Sequence, residues 1–584
     1  MRMRFVGLLA VLSVIQAHAA LAAQGAEDEL LFNAQCALCH AQETPPPGSP
    51  NEKAPTRAQL RQFNAEAILT ALTNGKMQLQ GSLLNDAQKR GVAEFASGKR
   101  LSAASVGAAT VLNQCRFGRA TRDPARTAGW NGHGNGPAAT RFQDGKAGGI
   151  TAADLPRLKL KWAFGYAAVG AARTQPTVAG GKLFVASENG EVHALDPASG
   201  CTFWTFKAQA GVRTAPSVAG YRKPGGGRGY AVYVGDTRAN MYAIDADTGR
   251  QVWTQQVEKH ASAGITGAPI VHDGRVFVGT QGLGEEGRGA TGGYECCTFR
   301  GSLSALDAST GKLLWQSFTV GEPRPREKNK DGVQMWGPAG GSIWSAPSID
   351  ARRGLVYAAT GNGYADPPQP LTDAVVAFDQ KTGAVRWHQQ IIAADQWAMG
   401  CQATNPDNPG CPLTLGPDYD FSATPMLAKV GNRELIVLPQ KSGIAYALDP
   451  DHAGALVWQR AFGNASGLGG QWGGAVDGQN FYTGTNGFLA TPGGMTAIKL
   501  SDGSIVWQQP PQALLCGEVR AGCGAGQGGA VTAIPGAVFT VSHDGGIRAY
   551  SAADGKILWL FDANKDFTTV NGVKANGASM DGPG

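Results

Sequence analysis

Charge is scarce in this sequence. Asp, Glu, Lys and Arg together make 16% of 584 residues, and the formal net charge is only +6. Part of that excess is Arg2 and Arg4 at the extreme N-terminus. Neither sign dominates, so nothing here attracts a polyanion, and nucleic acid is excluded as a partner. A hydrophobic share of 42% excludes a disordered chain. Long apolar runs are also missing. The stretch 5–15 is shorter than the roughly 20 residues a spanning helix needs, and no later stretch is apolar enough, which argues against a transmembrane anchor. Beyond the first hundred positions no run of helix-forming residues dominates.

What is present reads from the N-terminus. Residues 1–23 combine a basic start, the apolar stretch 5–15 and small-residue cleavage options after Ala19, Ala22 or Ala23, the three parts of a secretory signal. The mature protein is expected to be exported to the periplasm as a soluble chain. From Ala58 to Asn74 apolar residues recur near helical spacing, and Asn85 is placed to cap a helix over 86–96. Residues 24–104 are thus expected to form a small all-α unit, and 105–128 a linker.

Glycine supplies 83 of the 584 residues, roughly twice the usual share of about 7%, which suits tight turns between short strands. The chain from 129 to 584 repeats one signal: a polar turn closing in Gly, then a strand ending in Trp. The turns 194–200, 243–249, 305–311 and 377–383 run to Trp204, Trp253, Trp315 and Trp387, and further copies end at Trp458, Trp507 and Trp559. Spacings of 49 to 72 residues between these tryptophans are those of four-stranded propeller blades with variable loops. Trp162 looks like the last strand of an eighth copy that lacks its own preceding strands. An all-β propeller whose final blade is incomplete is the expected architecture.

Ten cysteines in an exported chain suggest paired sulfurs. Cys401/Cys411 and Cys516/Cys523 are spaced to close short loops, which leaves Cys115 and Cys201 for a longer bridge. Cys296 and Cys297 are adjacent, with either a vicinal bridge or two separate partners open to them. Cys36, Cys39 and His40 form a C-x-x-C-H motif, in which two thiols attach a haem c and the histidine reaches its iron. Met77 is the candidate for the second axial ligand.

The motifs of the repeat region resemble those of the quinohaemoprotein alcohol dehydrogenases, which carry pyrroloquinoline quinone (PQQ) in an eight-bladed propeller. The segment 340–362 is similar to the family stretch that supplies the Trp beneath the quinone and an Asn on calcium, which nominates Trp344 and Asn362. The strand 265–280 nominates Thr266 at the quinone, and the Gln-Gly-Leu-Gly-Glu-Glu that follows nominates Glu285 for calcium, with Glu286 and Glu295 as rivals. The resemblance implies a vicinal Cys296–Cys297 disulfide over the cofactor. It also implies Lys441 as a cationic PQQ ligand and, from 469–474, Gln471 at the quinone edge. The family's catalytic Asp maps to Asp420 in the Asp-Tyr-Asp-Phe of 418–421, where it would also meet calcium; Asp395 is the reserve.

A haem c at the N-terminus, rather than the C-terminus, is most similar to the branch of that family that acts on polyvinyl alcohol. The resemblance therefore implies oxidation of secondary hydroxyls with PQQ, calcium and haem c, and electron delivery to a soluble cytochrome c. Small alcohols are the alternative substrates. A non-catalytic propeller scaffold or a plain electron carrier are the alternative functions, because a shared fold does not fix chemistry.

Overall fold

The computed structural model describes residues 28–577, apart from 34–35, 38, 41–53, 74–76, 82–83, 85, 102–112, 168, 170–171, 290–292, 400, 402–409, 414, 464–468, 471, 487–492 and 519–522. The segment 1–23, Asn85 and Gln471 lie outside the described residues. Two compact units divide the chain, Met1–Ala109 with Ala167–Ala171, and Thr110–Tyr166 with Ala172–Gly584. No helix among the described residues is long and apolar enough to cross a membrane.

The first unit is helical. The periodicity over 58–74 resolves into Arg57–Leu60, closed at its start by a Thr56/Gln59 capping box, and Ala65–Thr73, separated by a turn. Gln78–Gly81 and Asp86–Ser97 follow. Their apolar faces meet in one cluster built on Phe32, Leu60, Leu72, Leu84, Val92 and Ala96.

The second unit contains, among the described residues, seven four-stranded antiparallel sheets at 177–207, 217–256, 270–318, 348–390, 426–461, 475–509 and 532–562. The repeated Gly and Trp explain how neighbouring sheets lock. Six of the seven outer-strand tryptophans lie against the turn glycine of the next sheet, among them Trp204 on Gly249, Trp253 on Gly311, Trp458 on Gly503 and Trp507 on Gly555. Gly249 has φ 71°, and a Cβ there would lie 2.8 Å from the Trp204 ring. Only glycine meets both demands. The indole N–H groups of Trp204 and Trp253 donate to Ala246 and Ala308 carbonyls in those same turns, both at 3.0 Å.

Trp162 docks in the same way, on Gly200 and through a 3.2 Å hydrogen bond to the Pro197 carbonyl. The segment around it forms no strand ladder. Instead Val570 N–H bonds to Ala163 O at 2.8 Å and the Asn571 amide clasps Gly165, while Asp566–Phe567 and Ala575–Asn576 form a two-stranded hairpin. Trp162 thus keeps the docking contact of the repeat, and residues 570–571 bond to the chain just after it in place of a ladder.

The first strand of each sheet leaves an edge without a sheet neighbour, and buried backbone groups need partners. Residues 130–143 supply them. Trp130 pairs with Val178, the Asn131 amide with Val218, and the carbonyls of Pro137, Ala138, Thr140 and Arg141 accept from Ile349, Leu427, Val476 and Ala533. One irregular segment thereby joins six of the seven sheets. Arg141 is buried beneath it and donates to His133, Gln175, Val531 and Thr532. Disulfides Cys115–Cys201, Cys401–Cys411 and Cys516–Cys523 form as their spacing suggested.

Candidate active site

The candidate residues of the second unit come from loops that enter or leave the inner strands of the third to sixth sheets. Thr266 precedes the strand Ile270–His272, Trp344 precedes Ser348–Asp350, and the segment 418–420 precedes Met426–Val430. Asn362 follows Leu355–Ala359, and Lys441 follows Arg433–Pro439. Short inner strands with the loops gathered at one end are how this architecture assembles a site from distant sequence.

Lys441 is the hub. Its buried ammonium lies 2.8 Å from Asp418 Oδ1 and 2.8 Å from Asp420 Oδ2, and 5.5 Å from the centre of the Trp344 ring. Burial pulls this ammonium down, but Asp418, Asp420 and Glu286 more than offset that and hold it above the ordinary lysine range. Asp420 is tied at both oxygens, since its Oδ1 accepts from the Asn362 N–H at 2.7 Å. A side chain at Gly361 would strike that carboxylate. Asp418 has one oxygen on Lys441 and a side chain 19% exposed, against 7% for Asp420. Burial first, with Asp420 adding and Lys441 opposing, pushes the Asp418 carboxyl up to about 7.

The two adjacent glutamates of the helix Leu283–Gly289 face different neighbours. Glu285 is fully buried and accepts from the Thr298 and Phe299 amides and the Tyr294 hydroxyl. It thereby holds the stretch that follows the Cys296–Cys297 disulfide. Glu286 faces the acids around Lys441, and the burial of its carboxyl, then Asp418 and Asp420, push it well above the usual carboxylate range. The disulfide is buried and tied to Trp336 through backbone bonds. Among the described residues no hydrogen bond or ion pair joins Glu295 to this cluster. Thr266 Oγ1 donates to the Trp344 carbonyl at 3.3 Å, and Trp472 presents its edge to the Trp344 ring at 5.5 Å and 89°.

This donor set fits a hard cation beside a flat cofactor. The Asn362 amide nitrogen is spent on the Trp397 and Gly363 carbonyls, at 2.7 and 2.9 Å, which leaves its oxygen as the group to offer a cation. Three mutually repelling carboxylates, Glu286, Asp418 and Asp420, surround a single ammonium. Among the described residues no three His, Cys, Asp or Glu side chains close on one point, so a cation here needs Asn362 and atoms from outside the chain. The flat face of Trp344, with the Lys441 ammonium on the ring side 5.5 Å from its centre, suits an aromatic anion.

Residues 130–406 match the family described as glucose/ethanol/alcohol dehydrogenase, beta-propeller domain (PQQ), and 441–579 match one described as outer membrane protein assembly factor BamB. Polyvinylalcohol dehydrogenases of a Pseudomonas species and of Sphingopyxis sp. (strain 113P3) are 38% and 36% identical to this chain. The matches span 95% and 97% of it, and 87% and 88% of theirs. The chain belongs to the polyvinyl alcohol dehydrogenase family. Membership makes it a PQQ-dependent oxidoreductase. The fold agrees with solved structures of quinohemoprotein alcohol dehydrogenase from Comamonas testosteroni (TM-score 0.52, 21% identity, 76% of each chain) and of a europium-containing methanol dehydrogenase (TM-score 0.54, 18% identity, 76% of this chain and 88% of that one).

Within this family member the helical unit also gathers its nominated residues. Cys36, Ala37 and Met77 pack against the same apolar cluster. His40 is buried, with Nδ1 at 2.8 Å from the Pro55 carbonyl, which leaves Nε2 for a metal. Cys36 and Cys39 are unpaired thiols, and burial, then Cys39, raises the Cys36 thiol to about 11. Asp418, Trp472 and Asp373 were missed by sequence reasoning. Asp373 is fully buried, and neither of its carboxylate oxygens has a hydrogen-bond partner. Burial, then Asp395 and Asp420, drive it well above the carboxylate range. Asp418 was visible in the Asp-Tyr-Asp pattern; Asp373 had no sequence signal.

Proposed function

We propose that this chain is an exported, periplasmic alcohol dehydrogenase that oxidises secondary hydroxyls of polyvinyl alcohol to ketones, using PQQ, calcium and haem c, and passes electrons to a soluble cytochrome c. The observation that carries the reading is the Lys441 ammonium held between Asp418 and Asp420 and lying over the Trp344 ring. The relatives that span nearly the whole chain supply the polymer by name.

When bound, the quinone supplies a two-electron acceptor, calcium a Lewis acid and the haem a one-electron outlet. Trp344 would support the cofactor ring, with Thr266, Gln471 and the Cys296–Cys297 disulfide around it. Glu286, Asn362 and Asp420 would hold the cation. Glu285, the first choice by motif order, has its carboxylate engaged by backbone amides, so Glu286 takes that place in the proposal. Asp418 would accept the alcohol proton on the oxygen that Lys441 leaves free, whereas Asp420 has both oxygens engaged. Lys441 would then stabilise negative charge growing beside it. In the helical unit Cys36 and Cys39 would carry the haem, with His40 and Met77 on its iron.

Asp418→Asn should lower kcat on polyvinyl alcohol about 10²- to 10⁴-fold, the usual worth of a general base, with calcium affinity little changed. Asp420→Asn should instead weaken calcium binding. Steady-state rates and calcium titration of the PQQ-loaded variants separate the two, and normal turnover in Asp418→Asn would return the base to Asp420.

A further inference from the structure

Three of the nominated groups rest on one short strap that none of the roles above requires. Residues 395–399 run beside Gly363, with Gly363 N–H to Asp395 O at 2.9 Å and Trp397 N–H to Gly363 O at 2.8 Å. From there the strap reaches each cation ligand in turn. The fully buried Asp395 carboxylate accepts from the Asp418 and Tyr419 amides at 3.1 and 2.8 Å, which fixes the backbone that carries Asp418 and Asp420. The Trp397 carbonyl receives the Asn362 amide at 2.7 Å and so turns the Asn362 oxygen away from itself. The Met399 N–H bonds to the Glu286 carbonyl at 3.1 Å. Immediately beyond, buried Cys401 is cross-linked to Cys411, and the chain returns so that Gly416 N–H meets Gln396 O at 2.9 Å.

We propose that this strap is the positioning element for the cation ligands. Asp395 anchors it, and the Cys401–Cys411 disulfide holds it closed. The inference rests on the reading of Glu286, Asn362 and Asp420 as cation ligands, and it gives Asp395 a role other than proton acceptor. Both Asp395 oxygens accept backbone amides, and the strap bonds to Asn362 and Glu286 through its own main-chain groups, the Trp397 carbonyl and the Met399 N–H. Partners that orient ligands in this way commonly set metal affinity by 10- to 100-fold.

The test is calorimetric titration of calcium into the full chain loaded with PQQ. Asp395→Asn is expected to weaken calcium binding about 10- to 100-fold, with the accompanying loss of turnover reversed by raising calcium. Unchanged calcium affinity, or a loss of turnover that excess calcium does not restore, overturns the positioning role. Should Asp395→Asn fail to fold, Cys401→Ser/Cys411→Ser opens the strap and leaves the buried acid in place. The same weakening is expected there, and unchanged affinity in that variant overturns the proposal. Failure of the site reading looks different. The unaltered chain would then take up no calcium, or Glu286→Gln would bind it as tightly as the parent.

Discussion

At the scale of single residues the site is a competition between one ammonium and several acids. Lys441 can neutralise one carboxylate, yet Asp418 and Asp420 both touch it and Glu286 stands close by. The surplus negative charge is what a bound cation would offset. In the helical unit, Met77→Ala should lower the haem reduction potential, because a thioether ligand raises it. A redox titration that does not move would remove Met77 as a ligand. Much of the site was legible in the sequence, since Trp344, Asn362, Lys441 and Thr266 come together as their motifs implied. Two choices stay open in the sequence, for physical reasons. Adjacent residues on a helix point about 100° apart, so Glu285 and Glu286 face different partners, and only packing tells which one meets the acids around Lys441. Asp418 takes a left-handed backbone, φ 60°, and both it and Asp420 reach Lys441, so motif spacing alone cannot separate their roles.

At the scale of elements, the Gly-to-Trp signal was readable because it records a contact. In the second to seventh sheets the turn glycine is the floor on which the preceding sheet's tryptophan rests. Gly249→Ala should therefore cost about 2–3 kcal/mol, combining the left-handed backbone penalty with displacement of the Trp204 ring. Denaturant unfolding of the variant checks this, and a loss under 0.5 kcal/mol, the level of an ordinary surface change, would show that the ring shifts freely. The segment 130–143 could not be read in the same way. It has no helical or strand period, and its hydrogen bonds go to strands spread from Val178 to Ala533. Such long-range pairings leave no local pattern. The helix over 58–74 was legible in existence but not in its break at residues 61–64, which is set by the turn before Ala65.

At the scale of the whole molecule, the proposed function assigns two kinds of redox chemistry to the two units of one chain. The propeller offers a place for a two-electron cofactor, and the helical unit gathers Cys36, Met77 and a His40 whose ring is oriented by the Pro55 carbonyl. A two-electron donor coupled to a one-electron carrier must release its electrons in single steps, which is what the order of motifs along the chain suggests. The central claim is that polymer oxidation in the propeller feeds the haem. The most direct measurement is the visible spectrum of the exported protein, reconstituted with PQQ and calcium, before and after addition of polyvinyl alcohol. The haem bands should shift to the reduced form only when PQQ, calcium and polymer are all present. A haem spectrum that polyvinyl alcohol never changes would contradict the account.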